Sequence, residues 1–246
     1  MKVLLIGDSC EDRYFYGDVK RLNPEAPVPI LEYKRGVTSK GMVWNVRENL
    51  RSFGMEVYTS THPEEIIKTR YIDEKSNQQI MRYDVEPKIE PLSFDYPKEW
   101  YSEYDALVIS DYDKGFLTTE KIFELTSRFV GPVFIDSKKT NLPADAYIKI
   151  NEIEHERMAY CNYENLIITR GGEGAEYKGD LYPAEKVNVC DVVGAGDTFL
   201  AALTYGYMKY GRIDRAIPLA NKAAAVAVSH RGTYVLTEED VKKILY

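Results

Sequence analysis

The sequence holds only 3 cysteines and 2 tryptophans in 246 residues, and no long apolar run. Cys10, Cys161 and Cys190 are odd in number, lie far apart and form no C-x-x-C pair. They exclude a disulfide framework or a cysteine-rich zinc site and point to a reducing compartment. About five apolar residues precede Asp8, too few for a signal-peptide core. No later run nears the roughly 18 residues of a membrane span, so a cytoplasmic protein is expected. An excess of basic residues is also missing, since 32 Lys and Arg stand against 39 Asp and Glu, a formal charge of −7. Non-specific attraction to nucleic acid or membrane is thereby disfavoured, and an anionic ligand needs a locally built site. His62, His155 and His230 show no metal-ligand spacing and are expected on the surface. Tyrosine is abundant, with 20 residues, and the sequence offers no functional reason for it.

Short apolar runs recur at Val3–Ile6, Met55–Thr59, Ala106–Ser110, Pro132–Ile135, Ala146–Ile150 and Asn165–Thr169. Such runs suit strands buried on both faces. Helical patterns at Met42–Phe53, Thr118–Phe129 and Ile153–Tyr160 lie between several of them. The alternation predicts an α/β fold with a mostly parallel sheet covered by helices. Ligands then bind beyond the carboxyl ends of the strands, where Gly7-Asp8, Ser110-Asp111, Asp136, Asn151 and Thr169 fall. Two proline-containing or alternating stretches, about 13–36 and 66–86, read as a small second sheet able to act as a lid. Asp12 is placed in a turn after the first strand. Helices are expected at Phe199–Tyr210, Asp214–His230 and Glu238–Leu245, with Pro218 in the first turn of the middle one.

The strongest chemical signal is Cys190-Asp191-Val192-Val193-Gly194-Ala195-Gly196-Asp197-Thr198-Phe199, directly before a helical stretch. A Gly-Ala-Gly turn at a helix start leaves backbone N–H groups free, and the helix dipole adds positive charge. Together they suit a phosphate. An aspartate inside such a site repels the phosphate unless a group lies between them. A substrate hydroxyl fits there, with Asp197 taking its proton and the N–H groups of Gly194, Ala195 and Gly196 holding the moving phosphoryl. This requires open space in front of the carboxylate. An aspartate also serves as a simple helix cap, and spacing alone leaves both readings standing. The Walker and dinucleotide glycine patterns are absent.

Asp-Val-Val-Gly-Ala-Gly-Asp-Thr-Phe resembles the D-T-x-G-A-G-D-x-F signature of the ribokinase (PfkB) carbohydrate kinases, with Val192 in place of the usual threonine. Asn151-Glu152-Ile153-Glu154 resembles that family's N-x-x-E motif, and Thr169-Arg170-Gly171-Gly172-Glu173-Gly174 its nucleotide loop. Ala220–Ala224, with Asn221, and Arg231-Gly232-Thr233 resemble its adenine-pocket segments. In the N-terminal half, Asp12–Gly17, Asn23–Pro29, Lys68-Thr69-Arg70, Arg82, Ser110-Asp111-Tyr112 and Asp136 with Lys138 resemble one branch of the family. That branch is the heptose 7-phosphate kinase domain of the bifunctional ADP-heptose synthesis enzymes of lipopolysaccharide synthesis.

The resemblance implies a three-layer ribokinase-like sandwich, a single kinase domain over residues 1–246, and no adenylyltransferase part. It implies ATP and Mg²⁺ as cofactors, with Glu154 reaching the metal through water and Asn151 placing phosphate. Thr169, Gly171, Gly174, Asn221 and Gly232 are then nucleotide-binding residues, and Lys138 and Lys114 reach nucleotide phosphates. It makes Asp12 and Asn45 sugar ligands and implies a homodimer formed through the lid, with no nucleic acid or membrane partner. Lys68 and Arg70, alternating on one strand, share a face. With Arg82 they suit a sugar phosphate or merely solubilise an edge. Asn151 and Glu154 also suit a helix cap and a first-turn acid.

Met42 and Trp44 stand where the family has small residues before its sugar-binding asparagine, and the chain between Thr59 and Lys68 is short, as though a helix and a strand were missing. The expected reaction is transfer from ATP to a hydroxyl, anomeric by resemblance, of a sugar phosphate. A nucleoside or small-metabolite kinase, or a non-catalytic binding protein on the same fold, are the alternatives.

Overall fold

The buried apolar runs become the strands of one large sheet, and the alternating stretches become a second, smaller one. A computed structural model describes residues 1–158 and 163–246. In chain order the elements begin with β1 (Lys2–Gly7), β2 (Ser9–Leu22), β3 (Pro29–Met42) and α1 (Val43–Ser52). Then come β4 (Glu56–Ser60), β5 (Ile67–Asp73), β6 (Gln78–Val85), α2 (Lys98–Tyr101), β7 (Ala106–Asp111) and α3 (Thr119–Arg128). These are followed by β8 (Val133–Ser137), β9 (Tyr147–Asn151), α4 (Glu152–Arg157), β10 (Leu166–Thr169), β11 (Gly174–Tyr177) and β12 (Asp180–Pro183). The chain closes with α5 (Ala195–Tyr210), α6 (Ile213–Val228) and α7 (Glu238–Leu245).

The large sheet has 8 strands in the order β12-β11-β10-β9-β8-β7-β1-β4. Its strands run parallel from β4 to β10, and β11 and β12 add an antiparallel edge. Because side chains alternate along a strand, β1 feeds two cores. Val3 and Leu5 pack with α1, α5 and α6, while Leu4 and Ile6 pack with α3 on the other face. The result is the three-layer α/β sandwich with a mostly parallel sheet. Among the described residues no helix is long and apolar enough to cross a membrane.

The small sheet has the order β3-β2-β5-β6. Its extent corrects the sequence reading, because β2 starts at Ser9 and β3 runs on to Met42. Only Asp8 separates β1 from β2, so Asp12 lies on a lid strand and not in a turn. The β11–β12 hairpin was not anticipated, since its strands are 4 residues each and too short to show a period. Pro218 falls in the second turn of α6, one turn later than expected. The expected helix at 153–160 is α4 up to Arg157, and its end lies outside the described residues, as does Cys161.

The short stretch after Thr59 is a direct passage from β4 to β5 through residues 61–66. His62 there is 3% exposed, not a surface residue. Its Nε2 accepts the Ser9 N–H at 3.1 Å, so the proton sits on Nδ1, 2.8 Å from the Glu64 carbonyl. The imidazole satisfies a backbone donor at the root of the lid that burial would otherwise strand.

Candidate active site

Helix α5 starts where the glycines allow it. Gly194 has φ +77, and a Cβ there would lie 2.6 Å from Asn45 Nδ2. A Cβ on Gly196 would lie 2.7 Å from Lys149 Nζ. Gly194 needs glycine's left-handed backbone, whereas a side chain at Gly196 would have to displace the Lys149 ammonium. The first N–H groups of α5 have no partner inside the helix, although Ala195 N–H makes a long contact with the Val192 carbonyl, 3.3 Å.

Asp197 lies in this first turn and is 2% exposed. Its Oδ2 accepts from Asn45 Nδ2 at 3.1 Å and its Oδ1 from the Tyr112 hydroxyl at 2.7 Å. Asn49 Nδ2 in turn donates to Asn45 Oδ1 at 3.1 Å, which fixes the amide orientation. Burial pushes the Asp197 carboxyl up to about 6, against the pull of the two hydrogen bonds. The space in front of the carboxylate is therefore not open, contrary to the expectation from sequence. Tyr112 fills it, because the turn after β7 is tied down by Tyr112 N–H donating to Asp8 Oδ2 at 2.7 Å.

Below the glycine turn, Lys149 Nζ donates to Asp136 Oδ2 at 2.6 Å, and both side chains are largely buried. Lys149 and Tyr112 are the residues that sequence reasoning missed as site components. A lysine inside the apolar run Ala146–Ile150 was the available signal for the first.

A cavity of about 360 Å³ opens beside the turn. Ala195 and Gly196 line one end, Thr169, Gly171 and Gly174 one side, and Val187, Val189, Ala224 and Val228 give apolar walls. Asn221 also borders it, but its amide donates to the Tyr182 carbonyl at 2.7 Å and so anchors α6 to β12. Gly232 does not line the cavity; its N–H donates to Asp191 Oδ2 at 2.9 Å and pins the loop after α6. Asn151 and Glu154 form a reciprocal capping box on α4. Glu154 Oε2 accepts from Asn151 N–H and Oε1 from Lys138 at 3.1 Å.

Among the described residues no three His, Cys, Asp or Glu side chains gather to hold a metal. Both Glu154 oxygens are thus engaged within the protein. Lys114 is likewise taken, held by both oxygens of Glu86 at 2.7 Å. It is not aimed at the cavity.

A second group of charged side chains lies on the lid. Asp12, 3% exposed, accepts from Arg70 Nη1 at 2.6 Å. Asp12 pairs with Lys68 across β2–β5, and Arg70 with Arg82 across β5–β6, so the basic set shares one face. Arg82 is held bidentately by Asp84 at 2.8 and 2.7 Å. Tyr14, 7% exposed on this face, has a buried hydroxyl with no hydrogen-bond partner among the described residues. Met42 is buried with φ +57, whereas Trp44 lies under Lys40 and Arg47.

Residues 144–240, which hold this glycine turn and most of the cavity wall, match the pfkB family carbohydrate kinase model. The chain carries a carbohydrate kinase domain of the pfkB family. It is 30% identical over 297 aligned positions to the bifunctional protein HldE of Nitratiruptor sp., covering 98% of this chain and 64% of that relative. The chain thus spans a little under two thirds of the curated relatives it matches. The alignment also exceeds the 246 residues of the chain, so the relative carries segments this chain lacks.

The fold is ribokinase-like. It is similar to ribokinase from Thermotoga maritima, with a TM-score of 0.72, 16% identity, and coverage of 99% and 98% of the two chains. It is also similar to phosphofructokinase-2 from Escherichia coli in complex with substrates and products, with a TM-score of 0.74, 17% identity, and coverage of 98% and 97%.

Proposed function

We propose that this kinase domain moves the γ-phosphoryl group of ATP to a hydroxyl, the anomeric one, of a sugar phosphate such as heptose 7-phosphate. Asp197 is the base. The observation that carries this reading is one carboxylate at the joint of two different spaces. An apolar slot ends at the amides of α5 on one side, and a face of basic side chains stands on the other. Adenosine suits the apolar walls, and the triphosphate suits the helix N-terminus. Arg70 and Lys68 suit a second phosphate on the acceptor, and the unpartnered Tyr14 hydroxyl is a ready donor for a sugar oxygen. A nucleoside acceptor has no use for that basic face. The carboxyl at about 6 is ionised at neutral pH yet close enough to accept a proton in the transition state. Mg²⁺, as the ion of the triphosphate, keeps its own hydration and needs no protein cage.

An ADP-release screen over heptose, hexose and pentose phosphates tests the acceptor. Turnover that is best on a nucleoside, or absent on every sugar phosphate, defeats the assignment. A place for this chain in lipopolysaccharide synthesis rests on the same assignment, and so does the anomeric position, which the product's stability to mild acid reports.

We also propose a homodimer through the lid. Its face away from the basic set carries Tyr33, Met81, Tyr83 and Val85, which are 66%, 51%, 57% and 40% exposed. An apolar sheet face of this kind is normally covered, and a second copy supplies a matching face. A monomer mass by light scattering at micromolar concentration defeats it.

A further inference from the structure

Tyr112 stands where the transferred phosphoryl's acceptor must stand. Its hydroxyl donates to Asp197 Oδ1 at 2.7 Å, the contact an acceptor hydroxyl makes with a general base. Its ring has Lys68 Nζ from the lid at 5.8 Å and Lys138 Nζ from the end of β8 at 5.3 Å. The tyrosine thus lies between the lid and the end of β8, with a lysine of each near its ring. Its backbone is held on Asp8, while Asp113 and Gly115 just after it adopt φ of +57 and +106. A turn so tied leaves the ring to move by side-chain rotation alone.

We propose that Tyr112 is a positioning residue that occupies the acceptor-hydroxyl place on Asp197 while the site is empty and yields it to the incoming sugar. This deepens the proposed function and rests on Asp197 being the base.

Two consequences follow from the geometry. In the free protein Tyr112 holds Asp197 ionised, because a donor on a carboxylate favours the charged form. In the ternary complex the acceptor hydroxyl has replaced the phenol, so the same carboxylate no longer feels Tyr112. The other groups around Asp197 stay constant between the two states: Asn45, the Asp136–Lys149 pair, and the Cys10 thiol. Lys68 and Lys138 face the phenol itself. The phenol remains a donor throughout, since burial, then the charges of Asp197 and Asp136, hold it well above its usual range.

Wild type and Tyr112→Phe, assayed by ADP release with ATP, Mg²⁺ and heptose 7-phosphate from pH 5 to 8, decide the matter. The acid limb of kcat/KM reports the free enzyme and that of kcat the bound complex. In the variant the kcat/KM limb is expected to move up by about one pH unit, the effect of one lost hydrogen bond to a charged group. The kcat limb is expected to stay in place and the acceptor KM to fall several-fold. Two limbs that both stay, or that move together, overturn the inference, because a purely structural tyrosine does one or the other. An inactive wild type counts against the acceptor assignment instead. Carboxyl ¹³C NMR of Asp197, free and with a bound sugar phosphate, then decides: a midpoint raised in the variant when free and equal to wild type when bound upholds the inference, whereas equal free midpoints, or a midpoint that stays raised in the bound variant, overturn it.

Discussion

The proposed nucleotide side and the proposed acceptor side of Asp197 are made from different material. The nucleotide side is backbone and burial: a glycine turn, a helix start, and apolar walls set on a parallel sheet whose strands are buried on both faces. The acceptor side is side-chain charge on a projecting four-stranded sheet, with Asp12, Lys68, Arg70 and Arg82 on one face and exposed apolar residues on the other. Backbone N–H groups at a helix start suit a phosphate whatever the sugar, so on the proposed function the body of the molecule carries the transfer chemistry. On the same proposal, the charges on the lid choose among acceptors and leave that chemistry alone. Asp197 is where the two meet.

Substitutions at the joint, under it and on either side test that division. The largest effect is expected from Asp197→Asn, which removes the base while keeping its shape. Turnover should fall by about 10²–10⁴-fold with ATP affinity nearly unchanged, as read by ADP release and by nucleotide titration. Near-normal turnover would mean that the joint is elsewhere. Lys149→Met comes next. It leaves Asp136 without its cation, and breaking one partner of a buried pair costs about 3–5 kcal/mol, measurable as a lower urea midpoint. A fold as stable as wild type would show that the glycine turn does not rest on this pair.

Arg70→Lys should raise the acceptor KM about tenfold, the loss of a planar, charge-assisted contact, and leave the KM for ATP in place. Movement of both constants would break the separation of lid from body. The smallest effect is expected from Gly194→Ala. Left-handed backbone costs a residue with a Cβ about 1–2 kcal/mol, and the added methyl presses on Asn45 Nδ2 at 2.6 Å. A melting temperature a few degrees lower, with turnover reduced through Asn45, is the expected result.

The comparison of regions also separates what was legible in the sequence. The six apolar runs all appear as strands of the large sheet, and α7 has the bounds its pattern indicated. The lid was legible as a second sheet, but its roots were not. Ser9 and Asp12 are residues that favour turns, so the chain was expected to turn there, while β1 in fact passes into β2 with Asp8 alone between them. His62 looked like a surface residue because nothing local requires its burial. The need comes from Ser9 N–H, 53 positions away. Asn221 and Gly232 were placed near the adenine, and the structure gives their polar atoms to Tyr182 and Asp191. A motif names the neighbourhood of a residue but not the partner of each of its atoms.

By itself the sequence determined the order of the parallel strands and the longer helices, the turn that opens α5, and the aspartate inside it. Those follow from rules that act over a few residues: side-chain period, glycine's access to left-handed backbone, and unpaired amides at a helix start. Only the tertiary structure decided that a phenol 85 positions earlier occupies that aspartate, that Asn45, 152 positions earlier, holds its other oxygen, and that Arg70 reaches Asp12 across 58. These contacts are set by how layers pack, and distance along the chain carries no record of that.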